Sequence, residues 1–334
     1  MQTKIFLSDT TDCWFNLALE EYFLELLDQA GEEQCIFYLW QNRRTVVIGR
    51  HQNAWRECRH RLLEHDGGRL ARRISGGGAV YHDLGNLNFS FLVSRRFFDI
   101  HRQLEVILTA LKSMGIEAVF SGRNDLTARG RKFSGNAFCY RQQAALHHGT
   151  LLVSADLRDM TRYLQVSMAK ISAKGVDSLG ARVVNLAELR PTLNVPELKQ
   201  ALMASFRKKY GGEAAVREHW EQLSGISRWQ VIFTRQSSWA WRFGSSPRFD
   251  VNLTTRFTWG EIELGLKLKK GRISRAAVYS DAMDEAFIAA LPAALEGCEL
   301  VPARMAASLQ KLSATPDQEN LVRDLGEWLI SQEL

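Results

Sequence analysis

The sequence has few of the features that mark a membrane, secreted or disordered protein. It contains 6 prolines and 5 cysteines among 334 residues. It has no run of about 18 apolar residues, the length that crosses a bilayer as a helix. Its first residues show no basic stretch followed by a long apolar segment, so no signal peptide is expected. The scarcity of proline and of biased tracts argues against long disordered linkers.

The cysteines are odd in number and far apart in the chain. They are Cys13, Cys35, Cys58, Cys139 and Cys298. No CxxC pair occurs, which argues against a zinc ribbon or a dithiol redox motif. A reduced, cytoplasmic setting is therefore the simplest interpretation.

The net charge of +6 is a modest excess, and Lys and Arg are interspersed with Asp and Glu. A strong nucleic-acid binder usually concentrates its positive charge in blocks, so this class is disfavoured. A mildly basic surface fits an acidic partner or an anionic substrate, although most such excesses are only solvated surface.

The length and a hydrophobic content of 46% predict a globular chain of about two domains. Short strand-like runs alternate with amphipathic stretches in the first part of the chain, which predicts an α+β domain with a large mixed sheet. Asn16 is the predicted N-cap of the first helix, and a second helix is predicted over Ala54–His65. Asn42–Arg44 is the predicted hairpin turn between two strands, and Trp14, Trp40 and Trp55 are predicted core residues.

The segment Gly244–Pro247 is the best linker candidate in the chain, and it places a domain boundary at residue 246. Beyond it, three strand-like runs predict a small antiparallel sheet, and three amphipathic stretches predict helices around that sheet. The predicted organisation is a catalytic domain of residues 1–246 followed by a small accessory α+β domain of residues 247–334.

Three successive glycines, Gly76–Gly78, lie between two predicted strands. Glycine leaves backbone N–H groups uncovered, so such a loop can wrap an anion, and Arg73 can add bidentate contacts to phosphate oxygens. The loop matches neither familiar nucleotide pattern, because GxxxxGK[ST] is absent and Tyr81 stands where GxGxxG requires its third glycine. Taken alone, the loop is equally a phosphate cradle or a tight connection between strands.

Lys132 lies inside a strand-like run, where a lysine is unusual unless its ammonium meets an anion. Its flexible stem and compact charge suit a bridge between a carboxylate and a phosphate. Asn124 and Asp125 suit contacts to hydroxyls, amines or metal-bound water. From the residues alone, a charged hairpin with Lys132 on its solvent face is slightly favoured. The pair His147–His148 lacks a third ligand at metal spacing, so it is more typical of hydrogen bonding or substrate orientation.

An ordered series of segments along nearly the whole chain resembles the lipoate–protein ligase family, close to its two-domain bacterial type. The segments are Trp14–Glu21, Leu39–Trp40, Thr45–Arg50, Gln52–Asn53, Arg72–Asn86, Ser121–Leu126, Arg131–Gly135, His147–Leu152, Lys174–Val176, Ala181–Val183 and Arg256–Gly260. The sequence departs from the family pattern at Ile74 and in a short turn at Ala128–Arg131, which leaves loop details open.

The resemblance implies a two-step reaction on two substrates, ATP and lipoate. These first give lipoyl-adenylate and pyrophosphate, and a lysine amine of an acceptor protein then attacks the mixed anhydride. The implied ATP-binding residues are Arg73, Gly78, Ala79, Val80, Tyr81, Asn86, Asp125 and Lys132. The implied lipoate-binding residues are Leu17, Leu19, Trp40, Gly76, Lys132 and His148. Lys132 is the implied catalytic residue. Mg²⁺ is implied by ATP and held mainly through phosphate oxygens, with Asp125 as a candidate ligand.

The resemblance also implies the partners. These are apo lipoyl domains of 2-oxoacid dehydrogenase acyltransferases and the glycine-cleavage carrier protein, with no nucleic acid and no membrane. Three alternatives stay open. An octanoyl or lipoyl transferase of the same fold would act without ATP through a cysteine, for which Cys139 and Cys58 are candidates. A transferase that uses a premade adenylate and a non-catalytic lipoate-binding module are the other two.

Overall fold

The computed structural model describes residues 1–30, 33–121, 124–165, 183–211, 215–218, 225–243, 249–269, 272–312 and 315–332. The chain divides into two compact units. The first unit comprises Met1–Ile48, Ala54–Ile74 and Ala79–Arg242, and the second comprises Gly49–Asn53, Ser75–Gly78 and Phe243–Leu334. Two loops from the N-terminal part of the sequence, one of them the glycine loop, thus cluster with the C-terminal segment. The predicted linker at 244–247 and the segments at 174–176 and 181–182 lie outside the described residues.

The strands of the first unit form two sheets. They are β1 (Gln2–Ser8), β2 (Gln34–Trp40), β3 (Thr45–Ile48), β4 (Arg69–Arg72), β5 (Val80–His82), β6 (Asn86–Ser94), β7 (Val119–Ser121), β8 (Asp125–Ala128), β9 (Arg131–Tyr140), β10 (Ala144–Leu152) and β11 (Ala215–Glu218). Within the described part of the chain, the large mixed sheet has the order β11-β1-β2-β6-β10-β9-β8-β7, and a smaller sheet has the order β4-β3-β5. The predicted α+β class with a large mixed sheet is confirmed.

Helices connect the strands of the first unit and cover its large sheet. They are α1 (Cys13–Ala30), α2 (Ala54–Glu57), α3 (His60–His65), α4 (Ile100–Ser113), α5 (Leu157–Tyr163), α6 (Leu186–Leu189), α7 (Val195–Tyr210), α8 (Ser227–Ser237) and α9 (Trp239–Phe243), with a 3₁₀ turn at Arg95–Phe97. Side chains alternate across a strand, so β6 sends Phe89 and Phe91 to a core shared with α4 and α7, and Leu92 to a core shared with α1 and α8. The large sheet is therefore buried on both faces.

Helix α1 begins earlier than the sequence pattern predicts. Asp12 Oδ1 accepts hydrogen bonds from the backbone N–H groups of Trp14 (2.9 Å) and Phe15 (3.1 Å), which makes Asp12 the cap. The prediction that Asn16 is the N-cap was wrong. Asn16 lies inside the helix, fully buried, and its amide bonds the Gln41 carbonyl and accepts from the Tyr38 hydroxyl.

The predicted hairpin at Asn42–Arg44 was also wrong, because β2 and β3 lie in different sheets. The helix predicted over Ala54–His65 is interrupted between α2 and α3. There Cys58 forms a β-bridge with Leu164, and the N–H of Arg59 donates to the Tyr163 carbonyl (2.9 Å). Both differences arise because hydrogen bonds to backbone far along the chain replace the local pairing that the sequence pattern predicts.

Of the three tryptophans predicted to be in the core, only Trp40 is fully buried. Trp14 is half-buried, with the guanidinium groups of Arg69 and Arg242 over its ring. Trp55 is 41% exposed, so its predicted core position was wrong.

The short turn after β8 has a simple geometry. Ala128 pairs with Arg131, and the two residues between them, Arg129 and Gly130, have φ of 49° and 75°. Two successive positive φ angles are typical of the type I′ hairpin, which suits the twist of neighbouring strands. Lys132 therefore comes directly after a tight hairpin.

The second unit contains an antiparallel sheet and helices. The strands are β12 (Val251–Phe257), β13 (Gly260–Lys269) and β14 (Arg272–Ser280), in the order β12-β13-β14, and the helices are α10 (Glu285–Leu295), α11 (Pro302–Leu309) and α12 (Pro316–Ile330). Their apolar faces share one core, in which Leu264, Leu291, Leu309 and Leu325 are buried. The predicted small sheet with surrounding helices is confirmed. Among the described residues of both units, no helix is long and apolar enough to cross a membrane.

Candidate functional site

One face of the large sheet carries a row of site candidates at matching positions of neighbouring strands. Trp40 on β2 is opposite Asn88 on β6, which is opposite Thr150 on β10. Gly135 on β9 donates its N–H to Thr150 Oγ1 (3.3 Å) and pairs with Asp125 on β8. We call these five residues the polar row. Because neighbouring strands lie about 4.8 Å apart, the four spacings between Trp40 and Asp125 amount to about 19 Å.

A β-bulge decides which face Lys132 occupies. Leu126 pairs with Ser134, but the next residue, Thr127, pairs with Lys132, so Phe133 is an extra residue on β9. Such a bulge interrupts the alternation of side chains along a strand. Phe133 therefore enters the hydrophobic core, and Lys132 faces the same side as the polar row.

Lys132 lies over Gly135 beside Asp125. Its Nζ is 2.7 Å from Asp125 Oδ1, and a Cβ added to Gly135 would stand 3.1 Å from that Nζ, so glycine leaves the space that the lysine uses. The lysine and aspartate side chains are 38% and 36% exposed, which keeps both within reach of a substrate. No three His, Cys, Asp or Glu side chains among the described residues group around a metal position. Asp125 can offer one carboxylate oxygen beside Lys132, and a Mg²⁺ site there stays a prediction.

Next to Trp40, the same face holds a buried polar cluster formed by α1, β6 and β10. Glu20, 1% exposed, accepts a hydrogen bond from Ser90 Oγ (2.5 Å), and its Oε1 lies 2.8 Å from His148 Nδ1. Ser90 Oγ in turn accepts from Trp40 Nε1 (3.0 Å). The structure thus brings the predicted residues Trp40 and His148 together through two residues that sequence reasoning missed.

A signal for Glu20 was present in the sequence. Leu17, Glu20 and Leu24 stand at i, i+3 and i+7, so they share the buried face of α1. A charged residue on an apolar helical face is buried at high cost unless it has partners. No comparable pattern marks Ser90, because serine in a strand is common.

Two further polar side chains extend this cluster. Arg73 is buried, and burial lowers the pKa of its guanidinium to about 10, an effect that the Glu20 carboxylate opposes. His82 Nδ1 lies 3.1 Å from Asn42 Nδ2, and burial, with the charge of Arg73 as the next cause, lowers the pKa of His82 to about 3. His82 Nε2 has no hydrogen-bond partner among the described residues. At neutral pH the cluster therefore contains a cationic arginine and an uncharged histidine.

The glycine loop packs closely within the second unit. Gly77 has φ of 86°, and its N–H donates to the Ala282 carbonyl (3.1 Å). A Cβ added to Gly76 would stand 2.5 Å from the same carbonyl oxygen, and one added to Gly49 would stand 2.2 Å from the Gly77 oxygen. At Gly78 an added Cβ would meet nothing within 4 Å. A close backbone contact therefore accounts for Gly76 and a positive φ for Gly77, and a phosphate cradle stays a prediction.

The predicted nucleotide-binding residues Val80 and Tyr81 lie on opposite faces of β5. The Tyr81 hydroxyl donates to Asp159 Oδ2 (3.2 Å) in the wall of a cleft of about 510 Å³ that Arg44 also lines. Burial, followed by Asp159, raises the pKa of Tyr81. Val80 faces away and packs against the apolar cluster that contains the predicted acyl-slot residues, and Ala79, just before β5, is half-buried. Those slot residues are Leu17, Leu19 and Trp40.

Asn86 and Asn88 are same-face neighbours on β6 and are fully buried. Asn86 Nδ2 donates to Asn88 Oδ1 (2.9 Å). Asn86 Oδ1 and Asn88 Nδ2 have no partner among the described residues. Asn86 is thus held in place with an acceptor left over, and its contact with ATP stays a prediction.

His147 and His148 face opposite sides of β10. His147 enters the core beside Phe91 and Phe138, where it bonds Gln103 and Asn136. Burial lowers the pKa of His147 to about 3. The histidine pair is therefore not a pair of metal ligands.

The free energy of unfolding is expected to decrease as the pH falls below about 6.5, because His82 and His147 are neutral in the folded chain. Their pKa is about 3 when folded, whereas an unfolded histidine titrates near 6.5. The unfolded state then binds more protons, so the stabilising contribution is complete above about pH 6.5 and is lost as the pH falls toward the folded pKa. Each histidine contributes about 1.4 kcal/mol per pH unit in this window.

Urea unfolding measured at several values between about pH 7 and pH 5 tests this expectation. The double variant His82→Asn/His147→Asn should flatten the profile. The exposed His101 provides the control, since His101→Asn should leave the slope unchanged. A wild-type profile that is already flat would contradict the expected loss of stability at low pH.

The comparisons with known proteins agree with this geometry. Residues 12–207 match the family model described as the lipoyl protein ligase A/B catalytic domain, and residues 246–329 match the model of the bacterial lipoate protein ligase C-terminus. Among solved structures, the chain is similar to P. falciparum LipL1 in complex with lipoate, at 28% identity and a TM-score of 0.86, over 99% of this chain and 100% of that one.

Two other solved structures are similar over the larger part of the chain. One is the bi-partite lipoate protein ligase of Thermoplasma acidophilum, described with its E2 lipoyl domain, at 27% identity and a TM-score of 0.63, over 75% of this chain and 100% of that one. The other is a lipoate-protein ligase A bound with ATP, at 26% identity and a TM-score of 0.61, over 73% of this chain and 99% of that one.

Proposed function

We propose, from the premise that this chain belongs to the lipoyl protein ligase A/B family, that it is an ATP-dependent lipoate–protein ligase. Lipoate and ATP would give lipoyl-AMP and pyrophosphate, and a lysine of an apo lipoyl domain would then take the lipoyl group. The acceptors would be the lipoyl domains of 2-oxoacid dehydrogenase acyltransferases and the glycine-cleavage carrier protein. In this proposal residues 1–246 form the catalytic domain and residues 247–334 the accessory domain.

The observation that carries the proposal is the position of Lys132 over Gly135, at the Asp125 end of the polar row. The opposite end of the row is Trp40, beside the apolar residues of α1 and the buried Glu20 cluster. An acyl chain laid across the strands would therefore have its carboxylate at the ammonium and its tail at the tryptophan. The span of about 19 Å leaves room for a medium-length acid and the phosphate that activates it.

The first step joins two anions. A carboxylate oxygen of lipoate bonds to the α-phosphorus of ATP, and the bond to pyrophosphate breaks as pyrophosphate takes the electron pair. The Lys132 ammonium, held by Asp125, would neutralise the charge that accumulates between carboxylate and phosphate, and positive charge fixed in advance is the main catalytic contribution to such a step. Mg²⁺ would supply further charge neutralisation on the phosphates. Arg73, Gly78, Ala79, Val80, Tyr81 and Asn86 remain the proposed further contacts of ATP.

The second step needs little from the protein beyond position. The lysine amine of the acceptor bonds to the acyl carbon, AMP leaves with the electron pair of the broken bond, and the amine loses a proton as the amide forms. AMP is a good leaving group, so holding amine and carbonyl together contributes most of the rate. No nucleophile from this chain is required.

The burial of Cys58 and Cys139 disfavours the alternative of an octanoyl or lipoyl transferase that acts through a cysteine. Cys58 and Cys139 are each 1% exposed. Burial raises the pKa of the Cys58 thiol to about 12, so it is not a thiolate at neutral pH. An acyl transfer through cysteine needs an accessible thiolate, and neither candidate meets that condition.

The test combines the purified chain, lipoate, ATP, Mg²⁺ and an apo lipoyl domain, with the intact mass of the acceptor as readout. With lipoate as the donor we expect the gain of one lipoyl group only when ATP is present, and premade lipoyl-AMP should give the same product without ATP or lipoate. Modification from lipoyl-AMP but never from ATP would identify a transferase that uses a premade adenylate. An unmodified acceptor in every arm would leave only a binding module.

A further inference from the structure

His147 is fully buried on the face of β10 away from the polar row, and no step of the proposed reaction uses it. Its ring Nδ1 lies 2.9 Å from Gln103 Oε1 on α4, and its Nε2 lies 2.9 Å from Asn136 Oδ1 on β9. The ring packs between Phe91 and Phe138, with centroid distances of 5.8 and 4.9 Å. A hydrocarbon side chain could fill the same space without the cost of burying polar atoms. The two hydrogen-bonding contacts of the imidazole therefore indicate a role beyond packing.

Asn136 connects this histidine to the reactive end of the polar row. Both its backbone N–H and its side-chain Nδ2 donate to the carbonyl of Asn124, each at 2.9 Å, and Asn124 Nδ2 donates to the Asn136 carbonyl (3.1 Å). Three hydrogen bonds thus fasten the start of β8 to β9. Asn124 directly precedes Asp125, the partner of Lys132, and Asn136 directly follows Gly135.

These contacts determine the tautomer of His147. Asn136 uses its Nδ2 as a donor to Asn124, so its Oδ1 faces the ring as an acceptor and His147 Nε2 carries the hydrogen. A neutral imidazole has one N–H, so Nδ1 is an acceptor. Gln103 Nε2 has no other partner among the described residues. Turning that amide by half a rotation brings Nε2 to Nδ1 and makes it the donor.

We propose that His147 is a positioning residue for the Lys132–Asp125 pair. Its Nε2–H holds the Asn136 side chain, Asn136 holds the Asn124 carbonyl, and the start of β8 thereby places the Asp125 carboxylate beside the ammonium. The effect on catalysis rests on the proposed ligase function. The effect on structure, a tighter junction of β8 and β9, is independent of that function.

The chain offers a matched set of variants to test this. His147→Gln places an amide nitrogen near the position of Nε2 and can still donate to Asn136. His147→Asn is too short for that contact but reaches the position of Nδ1, so it removes the bond to Asn136. Gln103→Met is the control, since it removes the bond on the α4 side and leaves the Asn136 side intact. All three changes alter buried polar contacts, so the Tm of each variant is recorded with its activity.

Two readouts separate positioning from general destabilisation. The first is kcat and KM for lipoate-dependent pyrophosphate release. For His147→Asn we expect kcat to fall by about 10- to 100-fold, the scale of a small misplacement of catalytic groups, with KM for lipoate little changed. His147→Gln and Gln103→Met should stay within about threefold of wild type. The second readout is amide hydrogen exchange over residues 124–136, which should accelerate in His147→Asn alone.

The outcomes each decide the matter. Wild-type kcat in His147→Asn, or an equal loss of kcat in Gln103→Met, would overturn the proposal and make His147 a core residue only. If the wild-type chain releases no pyrophosphate, the ligase function fails, and the exchange measurement still decides on His147. Faster exchange at 124–136 in His147→Asn but not in Gln103→Met would support the positioning role, whereas unchanged exchange would refute it.

Discussion

Lys132→Ala is expected to lower lipoate-dependent pyrophosphate release by about 100- to 1000-fold, the usual cost of removing one preorganised charge-stabilising group. The ammonium is the only part of the side chain that meets the incoming anions in the proposed reaction. The change should leave the fold intact, because the Lys132–Asp125 pair is more than a third exposed on both sides and such pairs contribute little stability. Pyrophosphate release and circular dichroism on the same preparation measure the two effects.

The chain contains a suitable control for this variant. Lys267 is an exposed strand lysine on β13, in the second unit, and Lys267→Ala should keep wild-type activity. Lys132→Arg keeps the positive charge but replaces the compact ammonium with a planar guanidinium. It should therefore retain only part of the wild-type rate. Undiminished release by Lys132→Ala would remove Lys132 from the catalytic assignment, whatever the chain as a whole does.

Glu20→Ala is expected to lower the free energy of unfolding by about 3–5 kcal/mol, the range measured when one member of a buried charged group is removed. The carboxylate is 1% exposed and accepts from Ser90, and its Oε1 contacts His148. Its loss removes the oxygen that both groups contact and the negative charge that raises the pKa of Arg73. Lipoate binding should be lost as well, because the cluster lies next to Trp40.

Urea unfolding and calorimetry with lipoate measure these two effects. Glu25 lies on the same helix and pairs with Arg228 through two contacts of 2.6 and 2.7 Å, with side chains 20% and 57% exposed, against 1% for Glu20. Glu25→Ala is therefore the control, with an expected loss of no more than about 1 kcal/mol. Glu20→Gln keeps the shape of the side chain and one acceptor oxygen, so its loss of unfolding free energy should lie between those of Glu20→Ala and Glu25→Ala. Equal losses for Glu20→Ala and Glu25→Ala would show that the buried cluster does not depend on its carboxylate.

Local patterns predicted much of the fold. The sequence pattern predicts helices over His101–Met114 and Val195–Tyr210, and the structure has them at Ile100–Ser113 and Val195–Tyr210. It also predicts the three C-terminal strands, over Thr255–Trp259, Glu261–Lys269 and Arg272–Tyr279, and the structure has all three with some ends displaced by a few residues. Their signals lie within a few residues of each other, such as the Asn194 cap that accepts from the Glu197 N–H. The errors fall at Asn16, Asn42–Arg44 and Trp55, where contacts with distant segments outweigh local preference.

In the candidate site too, some residues were predicted from the sequence and others depend on contacts between distant segments. The family resemblance picked out Lys132, Asp125, Trp40 and His148, and all four lie on one face of the large sheet. Glu20 and Ser90, which join two of them, were missed because their role depends on packing α1 against β6 and β10. The loop amides of Gly76–Gly78 were expected to face a phosphate, yet one of them bonds Ala282.

By itself, then, the sequence predicted a mixed sheet and a small C-terminal sheet with helices, and its resemblance to the ligase family picked out Lys132 and Asp125 as candidate site residues. The direction in which that lysine points was decided only by the tertiary structure. Strict alternation along β9 would place Lys132 and Gly135 on opposite faces. The extra residue at Phe133 shifts the register, because the core accepts the phenylalanine and the tight hairpin of Arg129 and Gly130 fixes the strand ends.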